Sequence, residues 1–421
     1  SLFITFRVKF KRNSKDDFIE VINEICLISK MRKIISIFIL YFVFLSSYSF
    51  ADPWKGYPYN SDEIPQTAVP DEKILKHYVK KYVKNSSTRK GFKFKIKASE
   101  NFKKFNFNLK QDDYVNQQLN ETALLSYIMY ENGYIVQDKI TPKERFGKYF
   151  KNDTKWQSMS MGKSIISYIA GHAICRGYIS GINETLDWDI FDNTLYEGQK
   201  LINVLNMASG SKKYMDTFGF KKSERWDNSV TIQSALKKEL KNSVAGEHYY
   251  NYANFDTNVV ASYVLHKVGQ ENFKLLLNEI FVNKVGIEHD VLLFKQGSAK
   301  SSTESLTYAF YITRHDYVRL AVAILEDWQN NTCEGKYLKS LWENRIEKQT
   351  FEIRDYDAFS NPKQYGGQFH MGISGKRDTP IFIMDGFGGQ TININFEDKK
   401  IISTLSVHRN YNWMKLVHEK L

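Results

Sequence analysis

Strand-like segments at the two ends of the chain, with a long helical stretch between them, restrict the folds open to this sequence more than any other feature. Near the start, Ala123 to Met129 and Tyr134 to Lys139 flank Asn132-Gly133, a dipeptide suited to a tight strand reversal. Near the end come Gln368 to Ile373, Ile381 to Met384, Thr391 to Phe396 with clean alternation, and Ile401 to Val407 after a polar turn at Glu397-Asp398-Lys399-Lys400. From Ser160 to about Trp342 the pattern is mostly helical, as in Val259 to Val268 and Asp316 to Trp328. An α+β fold follows: one antiparallel sheet built from N- and C-terminal segments and flanked by helices, with the helical region, about 160–345, inserted. A helix from Trp413 to Leu421 closes the domain, which spans 121–421. Residues 52–120 form a lysine- and asparagine-rich lead-in, with a helix expected from Glu72 to Lys84 and no function assigned.

Within the helical region, Ser160-Met161-Gly162-Lys163 puts a hydroxyl and an amine three residues apart where an apolar helix begins. Positions i and i+3 share a helix face, so the amine can sit against the serine oxygen, as in an activated nucleophile. Spacing alone proves little, because Ser87 with Lys90, Ser209 with Lys212 and Ser234 with Lys237 repeat it. Context separates Ser160. After Lys163, the residues Ile165, Ile166, Ile169, Ala170, Ala173 and Ile174 recur at helical spacing, and Gly177 is placed to stop the helix. The first turn of such a helix favours an oxyanion near the serine. The alternative is a serine that merely caps the helix beside a solvated lysine.

About ninety residues downstream, Tyr249-Tyr250-Asn251-Tyr252-Ala253-Asn254 offers a Tyr-x-Asn triplet in two registers, of which Tyr252 with Asn254 is preferred. A tyrosine near a lysine and a serine can move the proton that the serine loses and the leaving group gains. An aromatic core segment is the alternative in a chain that is 15% aromatic.

Taken together, these pieces resemble the serine β-lactamase and penicillin-binding-protein superfamily, in particular its class C-like branch of esterases and 6-aminohexanoate-dimer hydrolases. The resemblance runs over roughly residues 120 to 410. Besides Ser160 to Ser164 it includes Gly177-Tyr178-Ile179, Leu205 to Gly210 (Leu-Asn-Met-Ala-Ser-Gly), Ala245-Gly246-Glu247, Tyr250 to Asn254 and Gly386-Phe387-Gly388-Gly389-Gln390. It implies the β-lactamase/transpeptidase-like fold, with Ser160 as nucleophile, Lys163 as its base, Tyr252 as proton relay and Asn254 orienting Lys163 and the substrate. Phe387 to Gln390 would form one wall of the site. There Gly388 and Gly389 let backbone approach the substrate, and the Gln390 N–H, with that of Ser160, would form the oxyanion hole. Where many lactamases carry a cationic or imidazole side chain, this chain has Phe387, which disfavours antibiotic hydrolysis. The resemblance therefore implies a serine hydrolase cleaving a small ester or linear amide through an acyl-enzyme. The alternatives are a D-amino-acid-specific cell-wall peptidase or β-lactamase, favoured if Arg409 or Lys376 reaches the cleft, and a non-catalytic binding protein that keeps the fold.

Other chemistries find no footing in the sequence. Gly372-Ile373-Ser374-Gly375 is the nearest approach to a G-x-S-x-G nucleophile elbow and fails at its last position. No H-E-x-x-H, C-x-x-C or phosphate-binding glycine loop occurs, so no metal, nucleotide or organic cofactor is expected. His248 could line the cleft or simply hydrogen-bond beside the tyrosine run. Trp156, Tyr214, Trp226 and Tyr365 could shape a pocket or belong to the core. The net charge of +12 is spread along the chain, which argues against a nucleic-acid partner.

Met31-Arg32-Lys33, the apolar run Ile34 to Leu45 and Ser49-Phe50-Ala51 read as a secretory signal cut before Asp52, so a periplasmic or secreted protein is expected. The run is short for a membrane span, so no stable span is expected unless the signal stays uncleaved. Residues 1–30 precede this signal and are left out of the fold. Cys26 goes with them; Cys175, on the apolar helix, reads as a buried thiol, and whether it pairs with Cys333 is left open.

Overall fold

Asn132 and Gly133 both adopt positive φ, 49° and 95°, and turn the chain between two paired strands with Glu131 opposite Tyr134. The computed structural model in which they are seen describes residues 93–147, 149–211, 231–295, 306–348, 362–407 and 411–421. All of these lie within one compact unit, Asp62–Leu421. The expected helix at Glu72 to Lys84 and the signal segment fall outside the described residues.

In chain order the described elements begin with strands β1 (Lys93–Ile96) and β2 (Asn106–Phe107), helix α1 (Asp113–Glu121), and the hairpin β3 (Leu124–Glu131) and β4 (Tyr134–Ile140). A short β5 (Trp156–Gln157) leads into α2 (Met161–Cys175), followed by α3 (Leu201–Leu205), α4 (Ile232–Lys238), α5 (Asn254–Val268) and α6 (Gln270–Asn278). Strands β6 (Val291–Lys295) and β7 (Leu306–Ile312) precede α7 (Arg314–Gln329) and α8 (Cys333–Glu343). The chain ends with β8 (Ile346–Glu347), β9 (Gln364–Gly366), β10 (Phe369–Met371), β11 (Ile381–Gly386), β12 (Gln390–Asn395), β13 (Lys400–Ser406) and α9 (Trp413–Leu416).

Among the described residues the main sheet has nine strands in the order β2-β4-β3-β13-β12-β11-β10-β9-β8. The N-terminal hairpin thus pairs with the last strand: Tyr127 lies opposite Thr404, and Met129 opposite Ile402. This is the expected sheet made from both ends. A second sheet, β1-β6-β7-β5, was not expected. Its strands β6 (Val-Leu-Leu-Phe-Lys) and β7 (Leu-Thr-Tyr-Ala-Phe-Tyr-Ile) are nearly continuous apolar runs, in which periodicity does not separate strand from buried helix.

The alternation in β12 also misleads. It suggests one wet face, yet all six residues are buried, Asn393 and Asn395 included. Helices cover both faces: α1 and α9 pack with Val115, Leu119, Trp413 and Leu416 on one side, and α7 lies along the strand on the other. Each asparagine finds hydrogen-bond partners close by, although Asn393 Oδ1 is buried with none. Asn393 donates to Thr391 at 3.2 Å, and Asn395 Oδ1 accepts the turn N–H groups of Glu397 and Asp398, each at 3.1 Å.

Helix α2 runs through the centre and is buried almost all round, which explains its lack of a polar face. Its hydroxyls are paired: Ser164 donates to the Gln368 carbonyl at 2.6 Å, and Tyr168 to Asp327 at 2.5 Å. As expected, it stops before Gly177, which has φ of 76°. Cys175 at its end is not a free thiol. It forms a disulfide with Cys333 at the start of α8, closing a sequence separation of 158 residues, a link that contributes about 2–4 kcal/mol. Among the described residues no helix is long and apolar enough to cross a membrane.

Candidate active site

Strand β5 delivers the chain to Ser160 through a tight connection. The Ser158 N–H donates to the Phe310 carbonyl at 2.8 Å, and Ser158 Oγ accepts from the Phe310 N–H at 3.1 Å, anchoring the segment to β7. Met159 then takes φ of 47°, a left-handed conformation that an unbranched but bulky residue adopts only where its surroundings impose it. Ser160 follows as the residue flanking α2, with no capping hydrogen bond from its side chain. The alternative of a mere helix cap is thereby removed.

Lys163, one turn on, is 1% exposed, so the solvated lysine is excluded as well. Its amine lies 3.2 Å from Ser160 Oγ and donates to Asn254 Oδ1 at 2.5 Å. Asn254 opens α5, and it is the asparagine of the Tyr252 register, not that of Tyr249, that meets the lysine. Tyr252 approaches through its ring, whose centroid is 5.0 Å from Lys163 Nζ. It is held there by packing against Met207, Tyr250 and Tyr365 and by His370, whose ring lies nearly parallel at 6.4 Å. The Leu205–Gly210 stretch positions this segment: the Asn251 N–H donates to the Met207 carbonyl at 2.8 Å, and Gly246 to the Gly210 carbonyl at 3.0 Å.

The third stretch arrives from the other sheet. Gly386, at the end of β11, lies so close that a Cβ there would be 2.9 Å from the Ser158 carbonyl oxygen. Gly388 and Gly389 turn with φ of 96° and 84° into β12. The Gly389 carbonyl accepts from Thr404 Oγ1 at 3.3 Å and from the Tyr411 hydroxyl, which pins the peptide bearing the Gln390 N–H. The Gln390 side chain is fully buried and braces the approach to Ser160: it accepts from Trp156 Nε1 at 2.5 Å and donates to the Gln157 carbonyl at 2.8 Å. Trp156 and Tyr365 are therefore core side chains behind the site. His248 is a hydrogen-bonded neighbour, its Nδ1 2.7 Å from the Ala208 carbonyl.

Of the two cations suggested by sequence, only Lys376 lies among the described residues, and it is engaged at the chain's last residue, donating to the Leu421 carbonyl. Arg409, like Tyr214 and Trp226, lies outside the described residues. Two groups were missed. Tyr308 on β7 places its ring centroid 3.6 Å from Lys163 Nζ and its hydroxyl 2.7 Å from Asn254 Oδ1. Lys348 and His370, both buried, meet at 2.8 Å beside Tyr250 and Tyr252. Neither has a spacing signature: Tyr308 depends on the pairing of β7 with the distant β5, and Lys348 meets His370 through the successive short strands β8, β9 and β10.

A buried acid stands behind the Asn254 turn. Asp256 is 1% exposed and accepts from the Tyr196 hydroxyl at 2.7 Å and Ser209 Oγ at 2.9 Å. Burial pushes its carboxyl up to about 7, with the two hydroxyls opposing the shift. A raised folded-state value means that this group's contribution to stability is fully present below about pH 4 and is lost as the pH rises to 7. The Asp256→Asn variant should match wild type in unfolding free energy, measured by urea melts, near pH 4 and exceed it near pH 7.5, by on the order of a few kcal/mol. A difference that is the same at both pH values refutes the assignment.

No family profile and no curated protein sequence matches this chain. Solved structures do. A Bacillus anthracis protein assigned by name to the 6-aminohexanoate-dimer hydrolases superposes with a TM-score of 0.58 at 15% identity, covering 86% of this chain and 95% of its own. A Bacteroides dorei protein assigned to the β-lactamases gives 0.50 at 15% identity, over 70% of this chain and 88% of its own. The D-amino acid amidase of Ochrobactrum anthropi SV3 gives 0.50 at 14% identity, over 72% and 89%. At such identities the likeness is one of fold. The composite antiparallel sheet, the central buried helix and these neighbours agree that the chain has the β-lactamase/transpeptidase-like α+β fold.

Proposed function

We propose that the protein is a serine hydrolase that cleaves an ester or linear amide through an acyl-enzyme on Ser160. The observation that supports this most directly is the approach of Ser160 Oγ to within 3.2 Å of the buried Lys163 amine. In this reading Lys163 accepts the Ser160 proton while Oγ adds to the substrate carbonyl. The N–H groups of Ser160 and Gln390 bind the developing oxyanion. Collapse breaks the ester or amide bond, and the proton passes through Tyr252 to the leaving oxygen or nitrogen. Water then repeats the sequence on the acyl-serine, with the same groups taking and returning one proton, which frees the acid and Ser160.

The half-buried Phe387 beside the glycine turn gives this wall an apolar side chain, and small acyl groups fit it. Lys348 with His370 supports a second reading, a peptidase or amidase for substrates carrying a carboxylate, because it sets a cation within the aromatic cluster around Tyr252. The names of the neighbours are compatible with both readings. The disulfide Cys175–Cys333 and the Met31 to Ala51 segment support an exported protein, since disulfides persist in oxidising compartments.

The test is to treat wild type and Ser160→Ala with a fluorophosphonate probe. Short esters, aminohexanoate dimers, D-alanyl peptides with free and amidated ends, and a chromogenic cephalosporin are then assayed. Labelling and turnover should vanish in Ser160→Ala. Labelling that survives removes the proposal, and turnover of the cephalosporin alone overturns the role given to Phe387.

A further inference from the structure

The amine of a lysine that acts as a base has one lone pair and two N–H groups. For the lone pair to face the Ser160 hydroxyl, both N–H groups need acceptors on the far side of the nitrogen, because a four-carbon stem does not hold an orientation by itself. Asn254 Oδ1, at 2.5 Å, is one. The face of the Tyr308 ring, with its centroid 3.6 Å from Nζ, is the other. The same tyrosine acts a second time. Its hydroxyl donates to Asn254 Oδ1 at 2.7 Å, so that one amide oxygen accepts from both residues and the oxygen side of the amide stays turned to the lysine. The strand beneath is fixed independently of this side chain, since the Tyr308 backbone carbonyl accepts from Ser158 Oγ at 3.2 Å.

We infer that Tyr308 is a positioning residue for the proton transfer: its ring and its hydroxyl, through Asn254, hold the Lys163 amine with its lone pair on Ser160. This rests on the serine-hydrolase reading above. It assigns Tyr308 a different task from Tyr252, whose ring stands farther from the amine, at 5.0 Å.

Two substitutions separate the two halves of this role, assayed with p-nitrophenyl acetate and with the fluorophosphonate probe. Tyr308→Phe keeps the ring and loses the hydroxyl; it should lower kcat about 3- to 10-fold, the scale of one neutral hydrogen bond. Tyr308→Leu loses both and should lower kcat roughly 100-fold, on the scale of a misplaced catalytic group. KM should stay constant in each, and the labelling rate of Ser160 should fall with kcat. Because the hydroxyl works through Asn254, Tyr308→Phe should cost nothing further in an Asn254→Ala background. Additive losses in the double variant, a change confined to KM, or wild-type rates in Tyr308→Leu overturn the inference while leaving Ser160 labelled. Failure of wild type itself to label overturns the hydrolase reading instead. Tyr308→Phe also serves as the folding control, because it preserves the packed ring.

Discussion

Replacing Lys163 with methionine is expected to lower kcat/KM roughly 10³- to 10⁴-fold, the range over which a positioned general base acts. The same factor should appear in the fluorophosphonate labelling rate, since the group is used before the acyl-enzyme forms. Methionine nearly matches the lysine stem in length and brings no charge into a site that is 1% exposed, so the fold should be at least as stable as wild type. Asn254 Oδ1 keeps one donor in the Tyr308 hydroxyl and is not left bare. A loss of rate at unchanged or raised unfolding temperature is therefore the expected pair of results. Near-normal labelling would show that another group takes the serine proton, and the packing of Tyr252 and Tyr308 about the amine would then need a different explanation.

The legibility of the site follows from how its parts are encoded. Ser160 and Lys163 share one helix, so their contact is a property of local spacing, and the apolar run behind them told which of the S-x-x-K matches is buried. Tyr252 and Asn254 were found because they too are neighbours in sequence, although their approach to Lys163 depends on the Met207 carbonyl receiving Asn251 and not on anything in the triplet. Tyr308 has no such local signature. It lies on a strand within a region read as helical, and it reaches Lys163 because β7 pairs with β5 just ahead of Ser160, with Gln157 opposite Tyr311. The bond from Cys175 to Cys333 was illegible for the same reason: the two residues meet where separate helices end and begin. For the main sheet, the Asn132-Gly133 turn located β3 and β4 and strand patterning located β12 and β13, but the alternation misjudged the exposure of β12. Alternation reports chemistry along a strand, and only the layers above and below decide what is covered.

The position where sequence patterning and packing disagree most is Gly162, and there substitution should be severe. Inside a helix, alanine is ordinarily preferred over glycine by about 1 kcal/mol. Here an added Cβ would sit 1.8 Å from the Tyr308 carbonyl oxygen and 2.7 Å from Ser158 Oγ. Both obstacles belong to the β7 contact that anchors the turn before Ser160, so neither can move without releasing the site. The Gly162→Ala variant is expected to lose about 1–3 kcal/mol of stability, the usual cost of overpacking, in place of the propensity gain. Activity should suffer more than stability: moving the start of α2 away from β7 by about an ångström separates Ser160 and Lys163 from Asn254 and Tyr308, and misplacement on that scale costs about 100-fold in rate. Gly171→Ala, farther along the same helix, is the control. The atoms nearest its Cβ belong to the buried Tyr337 ring, the closest at 2.5 Å, and not to the β7 backbone, so it should reduce stability with little effect on the labelling rate of Ser160. If Gly162→Ala is as stable and as readily labelled as wild type, helix α2 does not depend on backbone contact with β7 for its placement, and the link between the second sheet and Ser160 is lost.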